Sequence, residues 1–414
     1  MALADGRPDV VFEWSERARA LASRVSPVRP PAHPEAAANL AELRQLQAEI
    51  LGSETGGGAP AALLRKARQL SGRIRQRAWY DAGSGLVTEP VGLPEIQGAL
   101  WSADGALVCY LVGDGQLHAL VAVGDSVQLS RLCSMGDVEG LLTGMQADLE
   151  VAAGRLPAAM LAAVHAALRR RLDRLCDILV TPLLGLVADR PLVVVQAASL
   201  SGVPWSILAP LVGRPLTVPR SATSWLSSRA GSIRPQTAGF VAGPRVVRAA
   251  EEVKRSAEAW SNPAVLTGSD AHCATVSQVA SQVDVLHVAA HGRHTADNPL
   301  FSGLELVDGP WFGYDIDQLE SIPSTVVLSA CELGRSSVRW GEETIGMTVA
   351  WLHAGSRCVI AAPASVNDDA ACELLATTHA RLAAGLRPSE ALAAAAEQLQ
   401  SPAPAPFLCF GAGW

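Results

Sequence analysis

The sequence predicts an α/β protein whose second half is a largely parallel, six-stranded sheet flanked by helices. Three observations carry this. Beyond Pro191 short apolar runs alternate with helix-patterned segments, the signature of strands joined by crossover helices. Six such runs follow Arg234: Ala238 to Val241, Ala264 to Thr267, Val285 to Ala290, Val326 to Ala330, Cys358 to Ala362 and Phe407 to Phe410. With 49% hydrophobic and 18% charged residues in 414, the chain has ample material for a packed interior.

Residues 1–90 read as helical. Apolar positions fall at helical spacing around Leu40, Leu43, Leu46 and Leu51, then again at Leu63, Leu64, Leu70 and Ile74. The Gly- and Ser-rich stretch Gly52 to Pro60 breaks the pattern, giving a helical hairpin. It is too short for an array of tetratricopeptide units, each of which needs about 34 residues.

From Ala106 the period changes to two. Ala106 to Val112, Leu117 to Val123 and Val127 to Leu132 are separated by Gly113-Asp114-Gly115 and Gly124-Asp125, which predicts a three-stranded meander. A helix follows through Leu161, Val164, Leu168, Leu172 and Leu175, ending near Pro182. Leu192 to Gln196 opens the α/β region. Helices are expected at Ala249 to Trp260, Gly346 to His353 and Ala370 to Ala384. The chain is therefore expected in three parts: residues 1–90, residues 91–234 and residues 235–414.

The net charge is −7, with no long run of Lys or Arg, so nothing here is suited to holding a nucleic-acid backbone or an anionic membrane. Residues 1–24 carry interspersed charges in place of a signal-peptide core, and no segment approaches about 18 uninterrupted apolar residues. A cytoplasmic location is expected. The eight cysteines form no C-x-x-C pair, so reduced thiols are the default, and Cys109, Cys358 and Cys409 read as small buried hydrophobes.

Two strands end in a reactive side chain followed by a Gly-containing loop. One is Val285-Leu-His287-Val-Ala-Ala-His291-Gly292, and the other is Val326-Val-Leu-Ser-Ala-Cys331-Glu332-Leu-Gly334. In a parallel sheet the carboxyl ends of strands border the crevice where ligands bind, so His291 and Cys331 are candidates for a catalytic pair. His291 precedes Cys331 by 40 residues, the order of caspases and the reverse of papain-like enzymes. His287, His291 and His294 have the spacing of a helical chelate, but on a strand His287 and His291 stand about 13 Å apart, beyond the reach of one zinc. No metal and no organic cofactor is expected, and His287 reads as a packed or supporting histidine.

These residues also resemble a known family. From about Arg169 to Trp414 the sequence resembles the CHAT domain, a caspase-like module related to separases and usually found after tetratricopeptide repeats. The resemblance rests on His287 to Gly292, on Asn298-Pro299-Leu300-Phe301-Ser302-Gly303-Leu304, and on Leu328-Ser-Ala-Cys331-Glu332-Leu-Gly334. Gly341-Glu342-Glu343, Ala354-Gly355-Ser356 and the closing Phe407 to Gly411 follow the same pattern. It implies a caspase-like fold in which Leu192 to Ser221 belong to a degenerate, non-catalytic lobe. Ala361 to Asp368 lack the tryptophan expected near that point, so the substrate pocket is expected to differ from that of relatives.

The function these readings imply is a cysteine endopeptidase acting on protein substrates as a regulated effector in a signalling or defence system, with an activating or regulatory protein among its expected partners. Cys331 is the expected nucleophile, His291 the acid and base, and the amides of Gly292 and Cys331 the oxyanion donors. Glu332, Glu343 and Asp368, with Glu342 and Asp369 near the same loops, are candidates to receive a basic P1 residue, whereas Arg293, Arg335 and Arg339 would suit an acidic one. The loop Glu332 to Thr344 is expected to be mobile and exposed, its ordering an activation step, with Arg335 and Arg339 as self-cleavage points if P1 is basic. Two alternatives stay open: a catalytically silent scaffold, and a thiol-dependent amidase or acyltransferase using the same dyad.

Overall fold

A computed structural model describes residues 3, 6–23, 38–39, 41–46, 49–50, 62–63, 65–67, 69–70, 89–154, 156–229, 234–293, 302–329, 342–399 and 403–414, with backbone alone at 158, 293 and 342–345. The expected break from Gly52 to Pro60, the motif residues Asn298 to Phe301 and the loop from Glu332 through Gly341 lie outside the described residues.

The strands, in chain order, are β1 (Ala106–Gly113), β2 (Gln116–Val123), β3 (Ser126–Ser134), β4 (Leu192–Val195), β5 (Leu216–Val218), β6 (Ala238–Ala242), β7 (Ala264–Leu266), β8 (Val285–Ala289), β9 (Gly292–Arg293), β10 (Gly303–Leu306), β11 (Gly309–Phe312), β12 (Thr325–Ser329), β13 (Cys358–Ala361) and β14 (Leu408–Gly411). All six expected runs of the second half are strands. They do not close a sheet of their own, however. One eleven-stranded sheet runs β3-β2-β1-β4-β5-β14-β13-β12-β8-β6-β7, joining the meander and both lobes edge to edge.

The seam is β5 against β14, which pair in parallel at Thr217 with Cys409 and Val218 with Phe410. Buried Thr217 laces it, its hydroxyl donating to the Gly411 carbonyl at 2.6 Å and accepting from the Gly413 amide at 3.1 Å. Because β14 is antiparallel to β13, the parallel block β13-β12-β8-β6-β7 runs opposite to β4 and β5. The carboxyl ends of β4 and β5 therefore face the edge opposite the one reached by the carboxyl ends of that block. The block β13-β12-β8-β6-β7 delivers its carboxyl ends to the edge that carries His291.

Burial follows the pleat, because successive side chains point to opposite faces. In the second lobe Leu286, Val288, Val326, Leu328, Val359 and Ala361 enter one core, together with Leu43, Leu46 and Leu70 of the N-terminal region. Val285, Ala289 and Phe240 enter a core on the other face, where the helix Ala249–Ala257 buries Ala249, Glu252, Val253, Ser256 and Ala257 at helical spacing. The helix Asp368–Ala383 lies beside it, tied by ion pairs Arg248–Asp369 and Arg255–Glu373.

A second, three-stranded sheet, β11-β10-β9, stands over the edge where β8 ends and was not expected from the sequence. Its hairpin pairs Leu306 with Gly309 across the two-residue turn Val307-Asp308. Gly309 has φ +124°, and a Cβ there would lie 2.6 Å from Arg44 Cγ, so both backbone conformation and close packing demand glycine. Arg44 fastens this sheet to the N-terminal region. Its Nε donates to the Pro310 carbonyl at 3.0 Å and its Nη2 to both oxygens of Asp315 at 2.8 Å. At the other end of the chain's first half, Glu16 of the helix Pro8–Ser23 is buried and accepts from the amides of Ala222 and Thr223, capping the helix Ala222–Arg229.

Candidate active site

His291 stands just past the carboxyl end of β8, half-buried. β8 and β12 are adjacent and parallel, in a register that pairs Ala289 with Ser329. The contact continues one residue further, with the Ala290 amide donating to the Ser329 carbonyl at 3.1 Å. The chain thus leaves β8 and β12 at one level of one edge, two residues before His291 and two before Cys331. Cys331, Glu332 and the Cys331 amide lie outside the described residues.

Among the contacts that His291 makes, two are with described residues of other elements. Its carbonyl accepts from the Glu305 amide of β10 at 2.8 Å. Its ring Nε2 lies 3.3 Å from the carbonyl oxygen of Arg245. A carbonyl can only accept, so Nε2 carries the proton and the lone pair of the neutral imidazole is on Nδ1. This is the tautomer in which Nδ1 can take a proton from a thiol.

Arg245 belongs to the loop after β6 and has φ +63°, a left-handed conformation that costs a non-glycine residue about 1–2 kcal/mol. The loop is held from both sides. The Gly243 amide donates to the Ala289 carbonyl at 2.8 Å, and a Cβ on Gly243 would lie 2.6 Å from Ala290 Cβ and 2.7 Å from the Glu305 carbonyl. The Arg245 guanidinium pairs with the Glu305 carboxylate at 2.7 Å. Gly292, the expected oxyanion donor, is buried in β9 opposite Leu304.

Asp368 reaches the same edge from β13, in the first turn of the helix Asp368–Ala383 and half-buried. Asn367 caps that helix, its Oδ1 accepting from the amides of Asp369 at 3.0 Å and Ala370 at 3.2 Å. Asp369 is committed to Arg248. Glu342 and Glu343 open the helix Glu342–Ala354, in a stretch where only the backbone is described.

His287 is sealed inside the sheet. Trp260 can only donate, and its indole N–H reaches His379 Nδ1 at 3.3 Å. His379 therefore carries its proton on Nε2 and donates to His287 Nδ1 at 3.1 Å. His287 in turn donates from Nε2 to buried Glu252 at 3.0 Å. Both nitrogens of each ring are used, which is how buried polar groups escape the cost of desolvation. Burial, reinforced by the neighbouring His287 ring, holds His379 well below the ordinary histidine range. Among the described residues no group of His, Cys, Asp and Glu has the arrangement of a metal site.

A groove of about 710 Å³ lies elsewhere, between the helices Ala158–Leu179, Asp368–Ala383 and Pro388–Leu399. It meets the edge described above only at Asn367, Asp369 and Ala370, and His291 does not line it.

Sequence reasoning missed Arg245, Glu305 and Gly243 around His291, and Glu252, His379 and Trp260 around His287. The first group acts through backbone atoms and a hairpin, and the second through partners 35 and 92 residues from His287. Neither leaves a local spacing to read.

The family model of the CHAT domain matches residues 169–406, more than half of the chain. The chain belongs to the CHAT domain family. Among solved structures, the Saccharomyces cerevisiae separase–securin complex at 2.6 Å resolution is similar with a TM-score of 0.55 and 10% identity, over 90% of this CHAT chain and 36% of that one. The same complex at 3.0 Å resolution gives 0.53 and 11%, again over 90% and 36%. At such identities the likeness is one of fold: a caspase-like, helix-flanked sheet. The CHAT chain spans about a third of the length of those chains. No curated protein matches it. Among the described residues no helix is long and apolar enough to cross a membrane.

Proposed function

We propose that this CHAT protein is a cysteine endopeptidase in which Cys331 is the nucleophile and His291 the acid and base. The observation that carries the reading is the register of β8 and β12. Ala289 is paired with Ser329, so two parallel strands release the chain at one level immediately before a histidine and a cysteine. The Nε2–H tautomer imposed by the Arg245 carbonyl supports it as well.

In this reading Nδ1 of His291 accepts the Cys331 thiol proton, and the thiolate attacks the scissile carbonyl. The oxyanion is met by the amides of Gly292 and Cys331. The C–N bond breaks as His291 returns the proton to the leaving amine, giving a thioester. Water, deprotonated by His291, then adds to the thioester, and the C–S bond breaks to release the new carboxyl terminus and the thiol. Metal and organic cofactor have no step to perform. Of the carboxylates proposed to receive a basic P1 residue, Glu332, Glu343 and Asp368, Asp368 has a described side chain beside the strand next to β12. The free state of the described cysteines supports a reducing, cytoplasmic setting. The substrate is a protein, and a protein partner regulates access to the site.

Incubation with a proteome-derived peptide library, with new termini read by mass spectrometry, tests the reading. Cleavage that clusters at one P1 class and vanishes in Cys331→Ala is expected. A silent scaffold would give no new termini, and an amidase or acyltransferase would modify side chains or amines without cutting the chain.

A further inference from the structure

We propose that Glu305 is a positioning residue for His291, acting through the Arg245 loop. The inference rests on the reading of His291 as the catalytic imidazole and adds the group that orients it. Glu305 reaches His291 by two routes. Its amide donates to the His291 carbonyl at 2.8 Å, fixing where the backbone turns off β8. Its carboxylate holds the Arg245 guanidinium at 2.7 Å, and the Arg245 carbonyl receives the ring Nε2–H at 3.3 Å.

The second route has a physical need behind it. Arg245 sits at φ +63°, a region that a non-glycine residue leaves unless its surroundings hold it there. The Glu305 ion pair supplies such a hold, and the side chains differ in a way that suits the task. Glu305 is 14% exposed and anchored in β10, while Arg245 is 58% exposed and reaches in from solvent. An ion pair with one partner so exposed contributes little to stability. Its consequence is geometric: it keeps one carbonyl aimed at one ring nitrogen, and so keeps the lone pair of His291 on Nδ1. Glu305 takes no part in the bond-making steps of this scheme.

The test uses the full chain labelled with ¹⁵N at histidine, the His291 signals being assigned by their loss in His291→Gln. Wild-type protein above the pH of imidazole titration is expected to give the Nε2–H pattern at His291. Glu305→Gln and, as a second variant on an exposed side chain, Arg245→Met are expected to give averaged tautomers. On a cleaved peptide kcat should fall about tenfold in both variants with KM within about twofold, and Arg245→Lys should recover most of the loss. An unchanged Nε2–H pattern in Glu305→Gln and Arg245→Met overturns the inference, whether or not the protein cleaves peptides. Absence of cleavage by wild-type protein, with the tautomer lost in both variants, would instead count against the peptidase reading and leave the positioning role supported.

Discussion

His287 Nδ1 and His379 Nε2 lie 3.1 Å apart with both rings fully buried and nearly parallel, inside a chain of donors that runs from Trp260 to Glu252. Each proton in that chain is assigned, so neither ring can gain another without turning an acceptor into a second donor. His287 sits on β8, the strand that delivers His291, and the network clamps that strand to the helices Ala249–Ala257 and Asp368–Ala383.

The first prediction concerns acid. His379 is held below its ordinary value of 6.5 in the folded protein, so the unfolded state binds more protons once pH falls below about 6.5 and stability declines. At higher pH both states are neutral and the group contributes no pH dependence. Unfolding free energies from urea titration should fall from pH 7 to pH 5, this group contributing at most about 1.4 kcal/mol per pH unit. His379→Gln should be less stable at pH 7 but lose that part of the slope. An unaltered slope in His379→Gln would contradict the assignment.

The second concerns His287. Removing its ring leaves the Glu252 carboxylate buried without its donor, and such losses cost about 1–3 kcal/mol, more where the orphaned group is charged. His287→Ala should therefore lower the urea midpoint markedly. Because both ring nitrogens are already engaged, exhaustive chelation should leave peptidase activity unchanged. Activity abolished by chelator and restored by zinc would reverse this.

Gly243 gives the third. A methyl group there meets Ala290 Cβ at 2.6 Å and the Glu305 carbonyl at 2.7 Å, backbone and short side chains that cannot swing aside. Gly243→Ala should displace the loop that holds His291 and reduce kcat by at least tenfold, with a stability loss of about 1–3 kcal/mol for overpacking. Crystals or NMR of the variant showing His291 unmoved, with normal turnover, would refute it.

The fourth concerns the N-terminal region. Arg44 and Asp315 are mostly buried, and burial raises the Asp315 carboxyl while Arg44 opposes that rise. Arg44→Ala should cost about 3–5 kcal/mol and speed amide hydrogen exchange across Gly309–Phe312. Unchanged exchange there would mean that the N-terminal helices do not brace this sheet.

Much of this was legible from sequence, and the limits are physical. The six runs of the second lobe were visible because buried parallel strands are written as short apolar blocks. Their union with the meander was not, since pairing such as Val218 with Phe410 joins residues far apart in the chain. The hairpin of β10 and β11 had a local sign in Asp308-Gly309, but its strands are four residues each and too short to show a period. The position of His291 past the end of a strand was legible because it follows an apolar run and precedes Gly292. Arg245 and Glu305 were not, because one contributes a carbonyl and the other meets it only through a second sheet.

The central claim is that His291 and Cys331 act together on an acyl group. Labelling with a peptidyl acyloxymethyl ketone, located by mass spectrometry, tests it most directly. The account predicts an adduct at Cys331 in wild-type protein, absent in Cys331→Ala and slowed at least a hundredfold in His291→Ala, with folding intact by circular dichroism. Labelling of Cys331 at the same rate in His291→Ala, or adducts spread over the other cysteines with none at Cys331, would contradict it.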